Sequence, residues 1–130
     1  MAERGLTNAR VRRGRRNQAE GVGAEAAACA ALLADGWAIL AQRLRTPAGE
    51  IDIIAERDGL LALVEVKSRP TLAGAAFSLG PRQRARLIAA GEIVLAGQPG
   101  WGRAGVRFDV MLVDAAGQVR RIADAFRIEG

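Results

Sequence analysis

Hydrophobic and polar positions recur at two different periods along this chain. From about Arg16 to Asp35 the apolar residues Val22, Ala26, Cys29 and Leu33 follow the i, i+4, i+7, i+11 spacing of one buried helical face, and Gly36 closes the helix. Glu25 falls on the border of that face, turned toward the body, whereas Glu20 falls nearly opposite and is expected in solvent. The period then shortens to two. Trp37 to Arg45 reads as a strand closed by the turn Thr46-Pro47-Ala48-Gly49. Glu50 to Arg57 reads as a second strand, with Ile51, Ile53 and Ala55 set against Glu50, Asp52, Ile54 and Glu56. Asp58-Gly59 is a strong two-residue hairpin turn. Leu60 to Lys67 is apolar until Glu65, as suits a central strand buried on both faces.

Ser68 to Gly80 reads as a loop. Pro81 opens a second helix running to about Ala96, with Gly97 past its end and Leu87, Ala90, Ile93 or Val94, and Gly97 as the inner stripe. Val106 to Val113 is a fourth strand, followed by a turn at Ala115-Ala116-Gly117 and a short strand near Val119 to Ile122. The stretch from 60 to 113 is long enough for a crossover that makes the third and fourth strands parallel neighbours. The order α-β-β-β-α-β predicts an α/β sandwich around a central mixed sheet flanked by helices.

Composition narrows the chemistry. The 130 residues contain no histidine and no tyrosine, and Cys29 is the sole cysteine. Histidine general bases, Ser-His-Asp and Cys-His catalysis, zinc fingers and internal disulfides are excluded. Lys67 is the only lysine and follows Val66 rather than glycine, so there is no phosphate-binding P-loop. Five scattered aromatics do not make a base-stacking platform. No apolar run approaches the roughly 20 residues of a membrane span, and the arginine-rich start has no secretory h-region. The expectation is a cytoplasmic protein without a membrane partner.

The net charge of +5 is unevenly placed. Arg4, Arg10, Arg12, Arg13, Arg15 and Arg16 stand against Glu3 alone in residues 1–16, while the rest of the chain is balanced. Residues 1–16 thus read as a basic, flexible arm and 17–130 as one domain. The arm is either a phosphate-attracting device or a solvated tail. With 18 arginines against one lysine, Lys67 stands out as a position where arginine does not serve.

Taken as a two-residue turn, Asp58-Gly59 fixes the register of its hairpin; a three-residue loop would shift it by one and separate the carboxylates. Counting back from Arg57 and Leu60 sets Asp52 opposite Glu65 and Glu50 opposite Lys67, with side chains about 4.5–5.5 Å apart at Cβ. Two opposed carboxylates repel unless a divalent cation binds them or one is protonated. The alternative is a solvated pair on an open sheet face, with Glu50 and Lys67 as an ordinary ion pair. Asp109, on one strand face with Arg107 and Met111, reads as structural rather than as a ligand.

Asp52 followed by Glu65-Val66-Lys67 on the next strand resembles the D…(D/E)-x-K signature of the PD-(D/E)XK nuclease superfamily. The longer strings Gly49-Glu50-Ile51-Asp52-Ile53-Ile54-Ala55 and Val64-Glu65-Val66-Lys67-Ser68-Arg69 resemble the YraN family of bacterial proteins, which is similar in turn to archaeal Holliday junction resolvases. The resemblance spans about residues 17 to 113, including Gly21-x-x-x-Glu25 and Arg82-Gln83-Arg84. It implies a restriction endonuclease-like fold. It also implies Asp52 and Glu65 as holders of Mg²⁺ (or Mn²⁺) with the Val66 carbonyl, Glu25 completing or modulating the site, and Lys67 positioning or deprotonating the attacking water. Glu50 belongs to the family string without a settled role; pairing with Lys67 is the preferred reading. Where the family usually has an Asn and an aromatic before Arg45, this chain has Arg43 and Leu44; a family lysine is replaced by Arg82.

The expected function is therefore that of a Mg²⁺-dependent endonuclease acting on DNA, branched DNA included. Arg45, Arg69, Arg82, Gln83, Arg84 and Arg86 are the candidate nucleic-acid contacts. The rival is a non-catalytic nucleic-acid-binding or adaptor protein that retains the acidic site, and an RNA-processing nuclease is a third reading. A resolvase-like role would need a symmetric homodimer to cut two strands.

Overall fold

The computed structural model describes residues 23–73 and 79–126. The basic arm predicted at 1–16, the predicted beginning of the first helix with Glu20, Gly21 and Val22, and residues 74–78 of the predicted loop lie outside the described residues. The elements are α1 (described over 23–34), β1 (Ala38–Thr46), β2 (Gly49–Arg57), β3 (Leu60–Ser68), α2 (Pro81–Gly97), β4 (Gly105–Val113) and β5 (Val119–Phe126). They form one five-stranded mixed sheet in sequential order β1-β2-β3-β4-β5. The β3–β4 pair is parallel, joined through α2, and the other pairs are antiparallel. The predicted α/β architecture is the observed one, with β5 running farther than the sequence pattern suggested.

Each face of the sheet carries one helix and one core. On one face, Leu87, Ala90 and Val94 of α2 pack on Ile51, Ile54, Leu61, Leu63, Phe108, Val110 and Leu112. On the other, Ala28, Cys29 and Leu32 of α1 and the following Trp37 pack on Ile53, Ala55, Ala62, Val64 and Met111. Leu61 to Val64 are buried without interruption, because β3 is covered on both faces. Each such leucine or valine side chain stabilises the fold by about 1.5–3 kcal/mol on leaving water. Gly91 lets α2 lie close to the sheet: a Cβ there would be 2.8 Å from Leu63 Cδ1.

Two helical faces differ from expectation. The buried side of α1 is Ala24, Glu25, Ala28, Cys29 and Leu32, while Ala26 is exposed and Leu33 is 57% exposed. A helix that is almost all alanine between residues 24 and 31 gives its periodicity little amplitude, and the choice between Leu32 and Leu33 then turns on packing. In α2, Val94 rather than Ile93 is buried, and Gly97 is an exposed last residue of the helix rather than part of the stripe.

A cluster on the α1 face, at the end of the sheet where β2 finishes, fastens the fold. The guanidinium carbons of Arg57, Arg107 and Arg121 lie 4.8, 5.0 and 4.8 Å from the Trp37 ring centroid. Asp109, buried on β4, pairs with Arg121 at 2.7 Å and with Arg107 at 3.2 Å. Asp35 pairs with Arg57 and Arg121. The structural reading of Asp109 holds: its charge neutralises arginines that are stacked on an indole.

Candidate functional site

The hairpin between β2 and β3 has the expected register. Asp58 and Gly59 both take positive φ (53° and 80°), as a type I′ turn requires, and Arg57↔Leu60 through Ile53↔Val64 pair in order. The ladder then stops, one step short of Asp52 and Glu65. Ile51 and Ile54 enter the same core although they are three residues apart, whereas Ile53 faces the other core. A strict period of two would put residues 51 and 53 together, so the chain rotates locally at Asp52. The Asp52 side chain points along the sheet toward β3, where its Oδ2 accepts the Val66 N–H at 2.8 Å. A carboxylate thus replaces the backbone carbonyl that a continued ladder would supply.

The neighbouring strand is irregular at the same level. Gln42 pairs with Ile53 and Leu44 with Ile51, which places Arg43 across from Asp52. Arg43 has φ 52°, a left-handed conformation that is uncommon for a side chain other than Gly, Asn or Asp. Its Nε donates to Glu25 Oε1 at 2.8 Å, tying β1 to α1. Glu25 is buried, and its bond holds the Arg43 guanidinium still more firmly protonated, with the charges of Glu50 and Asp52 adding to the effect.

Glu65 is 7% exposed at the end of β3. Its Oε2 lies 3.1 Å from Lys67 Nζ and 3.7 Å from Arg86 Nη2. Its Oε1 is buried and has no hydrogen-bond partner among the described residues. Burial first, and the nearby charge of Glu65 second, push the Asp52 carboxyl up from 3.8 to about 6, against the opposing effect of the Val66 hydrogen bond. The Asp52 carboxyl therefore feels the Glu65 charge, although the ladder that would set the two residues opposite each other ends one step before them.

Other placements depart from the sequence reading. Lys67 pairs with Glu65 on its own strand rather than with Glu50, because the β2–β3 ladder has ended and Glu50 is no longer held opposite it. Glu50 instead lies 3.7 Å from the highly exposed Arg45. Arg86, expected as a nucleic-acid contact, turns inward: its Nη1 donates to the Glu50 carbonyl at 3.1 Å and its side chain lies over Gly49. Arg82, one turn earlier, and Arg84 are exposed, Gln83 is half-buried, and Arg69 donates from Nη1 to the Ser68 carbonyl. The inward roles of Arg43 and Arg86 escaped sequence reasoning, since neither has a spacing that sets it apart from other arginines. The glycine at 49, directly beneath Arg86, was the only hint.

The donor set suits a hard cation. Two carboxylates and a backbone carbonyl offer oxygen ligands, and Mg²⁺ characteristically uses one or two protein carboxylates with water and substrate phosphate completing its shell. Among the described residues no three Asp, Glu or Cys side chains are gathered as a ready-made cage, and Glu25 is occupied by Arg43. Cys29 is a core residue, its thiol pushed up chiefly by burial. A cavity of about 630 Å³ is bounded by Ala24, Ser68, Arg69, Pro70, Val113 and Asp114 among others, and Glu25, Asp52, Glu65 and Lys67 are not among its lining residues. No helix among the described residues is long and apolar enough to cross a membrane.

Comparison with known proteins agrees with the span of this arrangement. The family model of uncharacterised protein family UPF0102 matches residues 24–113, from α1 to the end of β4. A UPF0102 protein of Granulibacter bethesdensis is 64% identical over 120 residues, covering 92% of this chain and 76% of its own. A UPF0102 protein of Acidiphilium cryptum is 50% identical, covering 88% and 89%, and one of Azorhizobium caulinodans is 47% identical, covering 92% and 91%. The matched span contains Glu25, Asp52, Glu65, Lys67 and Arg86, and the chain is a member of the UPF0102 (YraN) family.

Proposed function

We propose that this protein is a divalent-cation-dependent endonuclease that hydrolyses phosphodiester bonds in DNA. The observation that carries the reading is the Glu65 carboxylate: buried, next to the Asp52 charge, with one oxygen tied to Lys67 and the other unpartnered. An orphan buried carboxylate oxygen costs about 1–3 kcal/mol or more, and a cation held between Asp52 and Glu65 relieves both that cost and the repulsion of the pair. Bound there, Mg²⁺ or Mn²⁺ would polarise the scissile phosphate and lower the pKa of a ligated water. Lys67, 3.1 Å from Glu65, would hold the attacking water and balance charge as the phosphorus centre becomes more negative.

The surroundings support a polyanionic substrate. The N-terminus of α2 has no acidic residue in its first turn and no side-chain cap, yet Arg82 and Arg84 are there, both exposed. Cations at the positive end of a helix are unfavourable unless an anion joins them. Arg86 links this end of α2 to the start of β2, so the exposed arginines lie on the same end of the sheet as the carboxylates. Arg45, Arg69, Arg82, Gln83 and Arg84 are the proposed phosphate contacts, and paired incisions in a branched substrate would take two copies of the chain.

The adaptor reading draws on a different observation. Glu65 already has two cations beside it and Glu25 has Arg43, so the described site is close to charge balance without metal. The deciding experiment is incubation with branched, duplex and single-stranded DNA, and with RNA, across Mg²⁺ and Mn²⁺ concentrations. Cleavage that stops with chelator or Asp52→Asn while binding persists supports the nuclease. Binding without cleavage under any metal supports the adaptor, and preferential RNA cleavage reassigns the substrate.

A further inference from the structure

Arg86 leaves the exposed side of α2 and passes over the start of β2. Its path needs the residue beneath it to lack a side chain: a Cβ at Gly49 would be 2.9 Å from Arg86 Cδ and Nη1 and 3.0 Å from Cγ. Real Cβ atoms do not approach so closely. The guanidinium is then fixed at one end by the Glu50 carbonyl, 3.1 Å from Nη1, and presents Nη2 to Glu65 at 3.7 Å. Lys67 approaches Glu65 from its own strand at 3.1 Å. Both cations meet the same atom, Oε2, and Oε1 is left buried with no partner.

We infer that Arg86 is a positioning residue for the cation site: with Lys67 it anchors Glu65 through Oε2 and so reserves Oε1 for a divalent ion. A carboxylate at the end of a strand has three rotatable side-chain bonds, and left to itself near Asp52 it would turn away from the like charge. Two cations on one oxygen remove that freedom. The guanidinium contributes direction, because its planar fork is held by a backbone carbonyl; a lysine in its place would be a mobile point charge. The inference rests on the metal-site reading above and adds a residue from α2, outside the D…ExK strands.

Arg86 also has a purely structural aspect, since it ties α2 to β2, and a purely electrostatic one, since a positive charge repels a metal ion. The three roles predict different results in Mn²⁺ titrations of the folded full chain by calorimetry near neutral pH. Loss of orientation in a supporting residue typically weakens metal binding by about 10–100-fold. Arg86→Gln is expected to bind Mn²⁺ about tenfold more weakly, and Arg86→Lys to fall between Arg86→Gln and wild type. Unchanged affinity in both variants would reduce Arg86 to a structural tie, and tighter binding by Arg86→Gln would reduce it to simple repulsion; either result overturns the inference. Should Arg86→Gln fail to fold, Arg86→Lys decides alone, a wild-type dissociation constant counting against. A wild-type chain that binds no Mn²⁺ overturns the metal-site reading itself along with the inference, whereas wild-type binding with unaffected variants overturns the inference only.

Discussion

Asp52 reaches from β2 to accept the Val66 amide hydrogen on β3 at 2.8 Å, closing with a side chain a ladder that its backbone has left. The exchange has two consequences. The strands part at the point where the acidic residues lie, and the Asp52 carboxyl is drawn into a site with too little water to hold its charge comfortably.

The pH dependence follows from that second consequence. Asp52 titrates at about 6 in the folded chain against 3.8 as the ordinary value, so the folded state binds the proton more tightly than the unfolded state. Its stabilising contribution is complete below about pH 3.8 and is lost as pH rises through 6. Asp52→Asn keeps an acceptor for Val66 and removes the charge. Without metal it should therefore be more stable than wild type at pH 7, by about 1–2 kcal/mol after allowance for solvent screening. The gain should vanish by pH 4. Denaturant melts at the two pH values check this, and equal stabilities at pH 7 would contradict the buried-pair geometry. The same titration should weaken Mn²⁺ binding to wild type below pH 6, because the ligand must lose its proton.

Arg43 supplies a backbone test. Its φ of 52° is natural for glycine and costs other residues about 1 kcal/mol or more. Arg43→Ala loses the Glu25 bond and keeps the strain; Arg43→Gly loses the bond and relieves the strain. Both should be less stable than wild type, since Glu25 is left buried without its partner, but Arg43→Gly should be the more stable of the two by about 1 kcal/mol. The reverse order would show that the left-handed turn is not maintained in solution.

On the α1 face of the sheet, Asp109 is wholly buried between Arg107 and Arg121. Asp109→Asn should leave Arg107 without its neutralising carboxylate and Arg121 with Asp35 alone, and cost about 3–5 kcal/mol. A shift in Trp37 fluorescence should accompany the loss, because the three arginines surround its ring. A destabilisation below about 1 kcal/mol would mean that the cluster is well solvated.

How much of this was legible beforehand depended on which features are local. The hairpin register could be counted from Asp58-Gly59, since a two-residue turn leaves no freedom, and the proximity of Asp52 to Glu65 followed. The parting of the strands did not follow, and with it went the expected Glu50–Lys67 pair: a register rule assumes the ladder continues. The buried side of α1 was misjudged because alanines give no contrast between faces. Arg86 reads as one more basic residue in a basic segment, and only the three-dimensional passage over Gly49 distinguishes it from Arg82 and Arg84. The grouping of Trp37 with Arg57, Arg107 and Arg121 joins four separate stretches of chain, and no spacing announces it.

Lys67 separates chemistry from charge. It is the only lysine among 18 arginines, and its ammonium lies 3.1 Å from Glu65, three-quarters buried. Arg at this position would keep the ion pair and the net charge, so Lys67→Arg should fold and bind DNA much as wild type does. It would differ in two respects: its planar head is bulkier beside the carboxylates, and it does not give up a proton near neutral pH. If Lys67 holds or deprotonates the attacking water, Lys67→Arg should cut DNA at least about 100-fold more slowly, within the range that a lost general base or water-positioning group typically costs. Lys67→Ala should be as slow and should also be less stable, because Glu65 keeps only the longer contact to Arg86. Single-turnover cleavage with saturating Mg²⁺, measured beside DNA affinity and melting temperature, distinguishes the cases. Wild-type cleavage rates in Lys67→Arg would reduce the lysine to a partner of Glu65 and move the search for the water-activating group to the cation's own ligands.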